Sequence, residues 1–212
     1  MLVSTLQAVE LDSKNRDPKY VETIITRSKK IIDKLELTDS TVYNNALNIL
    51  ANRYFKLNDI YDKRDSANAR IKRSALSKDD KAKAQNNAQN EKDAELYRTH
   101  FAFSSDLAMF LTEAQIEVIK DGITFGVLMV TYNSTLDMIP TLKEEEKQQI
   151  FIWLKEAREY ALDAESSNKK HEVFGKYKGR INNYLSKRGY DLTKERESWY
   201  KRIEEKEKAN KK

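Results

Sequence analysis

The sequence predicts an all-α fold: a multi-helix bundle with a long projecting helical hairpin and one irregular, glycine-bearing connector. Three observations point there. Only five glycines and two prolines occur in 212 residues, and no glycine precedes Gly122. Strand-rich folds need frequent tight turns, and those turns need residues that accept positive φ. Apolar residues recur three and four positions apart along most of the chain, which is the helical period. Charged residues reach 34% against 39% hydrophobic, a balance suited to a small core carrying long solvated helices. The length fits one domain over 17–204, with a flexible N-terminal tail over 1–16 and a charged C-terminus over 205–212 that frays.

The elements follow in order. Asp17-Pro18 reads as a helix start, with proline at the first helical position. Val21, Ile24, Ile25, Ser28, Ile31, Ile32 and Leu35 then form an amphipathic stripe. A second helix begins near Thr38 and carries Val42, Ala46, Ile49, Leu50, Leu57, Ile60 and Tyr61 on its apolar face. Past Asp62 that pattern thins to alanines and Ile71 among charges. Ser77 with Asp80 has the spacing of an N-cap, and a return helix bears Ala82, Ala84, Ala88 and Ala94 before Tyr97, Phe101, Leu107, Phe110 and Leu111. The pair reads as a hairpin with its tip at about 62–93 and an alanine seam; the alternative is a charged linker, against which the alanine content speaks.

Thr112 and Gln115 form a capping-box pattern for a short helix that Gly122 ends. Residues 122–134, with Gly122, Gly126 and a β-branched apolar run, read as an ordered, buried connector, followed by a short helix at Thr135–Ile139 that stops at Pro140. Thr141 with Glu144 suggests a second capping box. The helix after it buries Ile150, Trp153, Leu154, Ala157, Ala161 and Ala164. Another helix spans about 167–187 and stops at Gly189, and Thr193 caps a last helix with Trp199 and Ile203.

Several chemistries find no support. Without cysteine there is no disulfide, thiolate metal site or cysteine nucleophile. No apolar run approaches the length of a membrane span. Met1–Glu10 carries neither a basic n-region nor an apolar h-region, so the chain reads either as cytoplasmic or as one from which a signal has been removed. His100 and His171 lie far apart with no His-x-x-x-His spacing, so no metal is expected. No serine stands in a nucleophile-elbow context. Glu156, Glu159, Asp163 and Glu165 share one helix, and a solvated face accounts for them more simply than the two opposed carboxylates of a glycosidase. No cofactor and no catalytic residue is expected.

The net charge is concentrated. Residues 169–190 hold Lys169, Lys170, Lys176, Lys178, Arg180, Lys187 and Arg188 against one acid, Glu172, whereas the whole chain carries 39 basic and 34 acidic residues. Phe174, Tyr177, Asn182, Asn183, Tyr184 and Tyr190 are interleaved with these cations. Three readings stay open: nucleic-acid binding through phosphates and stacked bases, carbohydrate binding through ring faces and planar polar groups, or a purely structural role with the rings in the core and the lysines in solvent. Gly175 and Gly179, four apart, suggest the close approach of a neighbouring helix or a ligand.

One long run is specific. Trp153-Leu154, Glu156–Glu159, Ala161, Asp163-Ala164, His171, the stretch from Phe174 through Leu185 (FGKYKGRINNYL) and Gly189-Tyr190-Asp191 resemble an uncharacterised all-helical family found mainly in Bacteroidetes. Asp121-Gly122, Gly126, Val130–Tyr132, Tyr54 and Leu57–Ile60 fit its pattern too, and the likeness covers roughly 18–200. The resemblance implies a sugar-binding protein linked to polysaccharide utilisation and exported to the periplasm, the outer membrane or the exterior; the chain departs from it in showing no signal peptide. Joined to the residue pattern, it gives a non-catalytic carbohydrate-binding site between the 122–134 connector and the 171–190 helix. Tyr132, Trp153, Tyr177 and Tyr190 are the stacking candidates, and Asn133, His171, Arg180, Asn182 and Asn183 the hydrogen-bonding ones. The alternative is a scaffold that engages a protein partner through the hairpin; nucleic-acid binding and a carboxylate enzyme rank below both.

Overall fold

The computed structural model describes residues 8–210. Among them lie eight α-helices, one 3-10 turn and no strand: α1 (Pro18–Ile32), the turn Asp33–Leu35, α2 (Ser40–Arg73), α3 (Lys78–Ala108), α4 (Glu113–Ile123), α5 (Val127–Met138), α6 (Glu144–Leu162), α7 (Ser167–Lys187) and α8 (Leu192–Asn210). Where the sequence suggests one domain over 17–204, the chain packs as two compact units, the first ending at Ile119 and the second beginning at Lys120.

In the first unit the cap signals act as their chemistry requires. The Asp17 carboxylate accepts the N–H groups of Lys19 and Tyr20 at 2.7 and 3.1 Å, with Pro18 behind it. Asp39 does the same for Thr41 and Val42 at the start of α2. The buried stripe of α1, Ile24, Ser28, Ile31 and Ile32, packs on α2. Ser77 accepts the Asp80 N–H and donates to the Asp80 carboxylate, which starts α3 after a turn of four residues, 74–77.

Residues 62–93 are therefore two helices and a turn, and not a charged linker. At 1.5 Å per residue the 34 residues of α2 reach about 51 Å and the 15 of α1 about 22 Å. Beyond Ile60 no residue of α2 is buried, and the seam there is narrow, with Ala67, Ile71 and Ala84 half-buried and Ala88 buried. Residues 8–16, within the stretch expected as a flexible tail, are irregular but hydrogen-bonded along α2 through Asn45, Asn48, Asn52 and Asp59. The first seven residues lie outside the described ones.

The second unit is built on a single core. Val127 and Leu128 of α5, Ile150, Leu154, Ala157 and Ala161 of α6, and Phe174, Ile181 and Leu185 of α7 pack together, with Ile139 and Leu142 closing one end. Helix α6 packs on both α5 and α7, and α8 lies on α5 and α7. The irregular part of the connector shrinks to Thr124–Gly126, where Phe125 and Gly126 take φ of 60° and 66°. The remainder of 122–134 is helical despite its glycines and β-branched residues. Their low helix propensity costs at most about 1 kcal/mol apiece, less than burial of Val127, Leu128 and Thr131 returns.

Two caps sit elsewhere than the spacing suggests. Helix α6 starts after Lys143, whose N–H donates to the Glu146 carboxylate at 2.9 Å, and not at the Thr141–Glu144 pair. Asp191 caps α8 in place of Thr193, accepting the Thr193 and Lys194 N–H groups at 3.2 Å each. Helix α8 continues through Asn210, into the stretch expected to fray. No helix among the described residues is long and apolar enough to cross a membrane.

Gly175 and Gly179 do not mark a close approach between helices. Both are exposed, and a Cβ added at either would meet nothing within 4 Å. Alanine is thus expected to stabilise at each position by roughly 0.5–1 kcal/mol. Gly126→Ala is expected to destabilise by about 1–2 kcal/mol, because its left-handed φ places a Cβ against the following carbonyl. Thermal melts of the three single variants check the opposite signs.

Candidate functional site

Helices α6 and α7 form an antiparallel pair joined through Ser166, whose hydroxyl caps α7 by accepting the Lys169 N–H at 3.2 Å. The helical period sends Phe174, Ile181 and Leu185 into the core. Residues 177, 180, 184 and 188 then fall on the flank that meets α6.

A ladder of rings and guanidinium groups runs along that flank. The Arg180 guanidinium carbon lies 4.5 Å from the centroid of the Trp153 ring and 6.0 Å from that of Tyr177. Trp153 meets Tyr184 edge to face at 5.1 Å and 86°. Arg188 covers Tyr184 at 4.8 Å. Cations over ring faces and T-shaped ring pairs are the favoured geometries of these groups, each contributing on the order of 0.5–1.5 kcal/mol at a partly exposed surface.

Carboxylates from α6 fix both ends. Glu156 pairs with Arg180 at 3.4 Å. Burial, reinforced by the neighbouring Glu156 carboxylate, pushes Tyr177 up to about 12. At the other end Arg188 pairs with Glu145 at 2.6 Å and with Glu146 at 3.5 Å. Glu146 is only 1% exposed and serves three groups: it accepts the Lys143 N–H, the Tyr190 hydroxyl at 2.6 Å, and a bond from Arg188. Desolvation pushes its carboxyl up, but the Tyr190 hydroxyl, the Lys143 N–H and the Arg188 charge together outweigh it and leave it below the ordinary carboxylate range. Tyr190 is held up to about 12, first by that hydrogen bond and then by burial.

A second polar network anchors the pair from the Lys120 side. Arg158, 1% exposed, bonds Asp121 at 2.7 Å and Glu159 at 3.3 Å, and Lys120 bonds the other Glu159 oxygen at 2.9 Å. The buried Lys170 ammonium donates to the Ile123 carbonyl at 3.3 Å. The last turn of α4 is thereby tied to α6 and α7.

Of the residues singled out from sequence, Trp153, Tyr177 and Arg180 meet in the ladder, and Tyr190 closes its Glu146 end. Asn183 is exposed and adjoins Arg180 around the helix, whereas Asn182 falls on the far flank. Tyr132 lies on the α5 side of α6, edge to face with Phe151 at 5.2 Å. Asn133 is exposed on α5. His171 stacks on Phe125 at 5.8 Å and 14°. The connector and α7 meet at Phe125–His171 and at the bond from Lys170 to the Ile123 carbonyl, and α6 packs on both α5 and α7. Tyr184 and Arg188 fall in the basic segment and Glu156 among the acids of α6 without being singled out as site residues, and Glu145 and Glu146 are missed, although Arg180, Tyr184 and Arg188 stand four apart, the interval that stacks side chains along one helix face.

The depressed Glu146 carboxyl makes this end of the ladder acid-sensitive. A carboxyl whose folded value lies below its unfolded value contributes stability that is complete above the ordinary 4.5 and fades as pH falls through the folded value. Urea unfolding from neutral pH down to about pH 3 is expected to show that loss. Glu146→Gln should abolish this component and lower stability at neutral pH, while Tyr190→Phe should shrink it.

No curated protein matches the chain. The model of a family described as protein of unknown function (DUF3826) matches residues 21–205, from within α1 to within α8. On that match, which covers most of its length, the chain belongs to the DUF3826 family.

Proposed function

We propose that the α6–α7 ladder is a non-catalytic platform for carbohydrate. The observation that carries this reading is its preorganisation. Trp153, Tyr177 and Tyr184 are half-buried, each held by a guanidinium or a second ring, so they present surface to a ligand with little rotamer freedom left to lose. The electron-rich faces of aromatic rings suit the C–H surfaces of a sugar. Arg180, Glu156 and Asn183 beside them offer donors and acceptors for hydroxyl groups. Tyr132, Asn133, His171 and Asn182 fall outside this platform, and Tyr190 acts through Glu146.

The electrostatics favour sugar over nucleic acid. Arg180 and Arg188 are already paired with Glu156 and Glu145, which turns the strongest cations of the segment into dipoles. The setting that goes with this reading is the exported one implied by the family resemblance, in the periplasm, at the outer membrane or outside the cell, beside polysaccharide-utilisation systems. A protein-interaction role in the hairpin unit is the second reading, favoured by the rings of Tyr97 and Phe101 on α3, 71% and 63% exposed.

Calorimetric titration with a panel of oligosaccharides tests the platform. Binding should change little with salt, in contrast to phosphate recognition. Trp153→Ala and Arg180→Ala should each weaken it about tenfold, the equivalent of one lost ring or cation–ring contact. Silence across the panel, or binding indifferent to both substitutions, would retire the proposal.

A further inference from the structure

The first unit contains a feature unrelated to the ladder. Residues 9–16 run beside α2 as a strap read by amide side chains. Asn45 accepts the Val9 N–H, Asn48 donates to the Val9 carbonyl, and Asn52 donates to the Glu10 carbonyl while accepting the Asp12 N–H, all at 2.8 Å. Arg16 closes the strap on both oxygens of Asp59 at 2.8 and 2.7 Å. Clamped in this way, Val9 becomes one wall of a cavity of about 440 Å³ between the strap, α2 and α3.

That volume lies within the range of small-molecule sites, and the lining has their character: mostly apolar with a few placed polar groups. Ile49, Phe103 and Phe110 supply the apolar walls. Arg53, 7% exposed, is set in position by the Thr99 carbonyl at 3.1 Å and by the Phe103 ring at 5.7 Å. Lys56 stands exposed at the rim. The charged lining residues are two cations and one acid, Asp106, so the local field favours a ligand with a single negative charge. A sugar, with hydroxyls on every face, would desolvate poorly against these walls.

We infer that this cavity binds an aliphatic monocarboxylate, its chain between Ile49, Phe103 and Phe110 and its carboxylate toward Lys56 and Arg53. The chain term grows with each methylene buried, and the charge term separates an acid from its alcohol.

Titration of the full chain with straight-chain carboxylates of roughly six to twelve carbons should show affinity rising about fourfold per added methylene, the equivalent of about 0.8 kcal/mol, until the cavity is full. The matching alcohols should bind at least about tenfold more weakly, as expected for loss of a charge-assisted contact. Ala102→Trp at the exposed rim should block both series, and Lys56→Glu should weaken the acids but not the alcohols, with melting temperature unchanged in each. Trp153→Ala in the other unit should leave all of this intact, so failure here and failure of the carbohydrate platform are separable. Absence of saturable binding, affinity independent of chain length, or indifference to Ala102→Trp would overturn the assignment.

Discussion

A guanidinium taken almost wholly out of water dictates the construction of the second unit. Removing a charge from water costs several kcal/mol even after relaxation, so Arg158 is tolerable only where carboxylates reach it. Asp121 comes from α4 and Glu159 from α6 itself. Meeting both fixes how the end of α4 lies on α6, and Lys170 on the Ile123 carbonyl fixes how α7 begins against the same turn. The short link Thr124–Gly126 then joins α4 to α5 in three residues, with Phe125 and Gly126 both at left-handed φ. Helix α5 follows, and its apolar face completes the core.

With α6 and α7 locked at one end by this polar knot, the opposite end is secured by Glu146. It joins the first turn of α6 to the residue after the glycine stop of α7, since Tyr190 follows Gly189 at φ 94°. Between the two anchors the helices run alongside each other for the length over which Trp153, Tyr184 and the two arginines interleave. The surface chemistry is thus a product of register: a shift of one residue in α7 would rotate Arg180 and Tyr184 by about 100° and take them off Trp153.

Much of this was legible in the sequence because it is local. Helix stripes, the Asp17-Pro18 start, the Ser77 cap, the Thr112–Gln115 box and the Gly189 stop depend on neighbours within four residues, and spacing reports them directly. The connector was misread because its residues disfavour helix intrinsically while tertiary burial favours it, and only the latter knows where the core lies. Site residues divided along the same line. Tyr177 and Arg180 stand out as a ring and a cation of the basic segment, and Trp153 as a ring of the preceding helix, but that α6 stands between Tyr132 and α7 is a fact of packing, invisible to any one-dimensional pattern. The strap over α2 escaped for a related reason. Its partners are three asparagines some forty residues away, and an irregular segment bound by side-chain amides has no period to detect.

The thin alanine seam of the hairpin has a consequence for how this architecture can vary. Past Ile60 no residue of α2 is buried, and the small side chains along its contact with α3 discriminate weakly between registers. Whole turns could therefore be gained or lost in matched pairs, lengthening or shortening the arm by about 1.5 Å per residue on each side, without disturbing the packing at its base. Reach in this unit is a quantity that selection can adjust independently of the core.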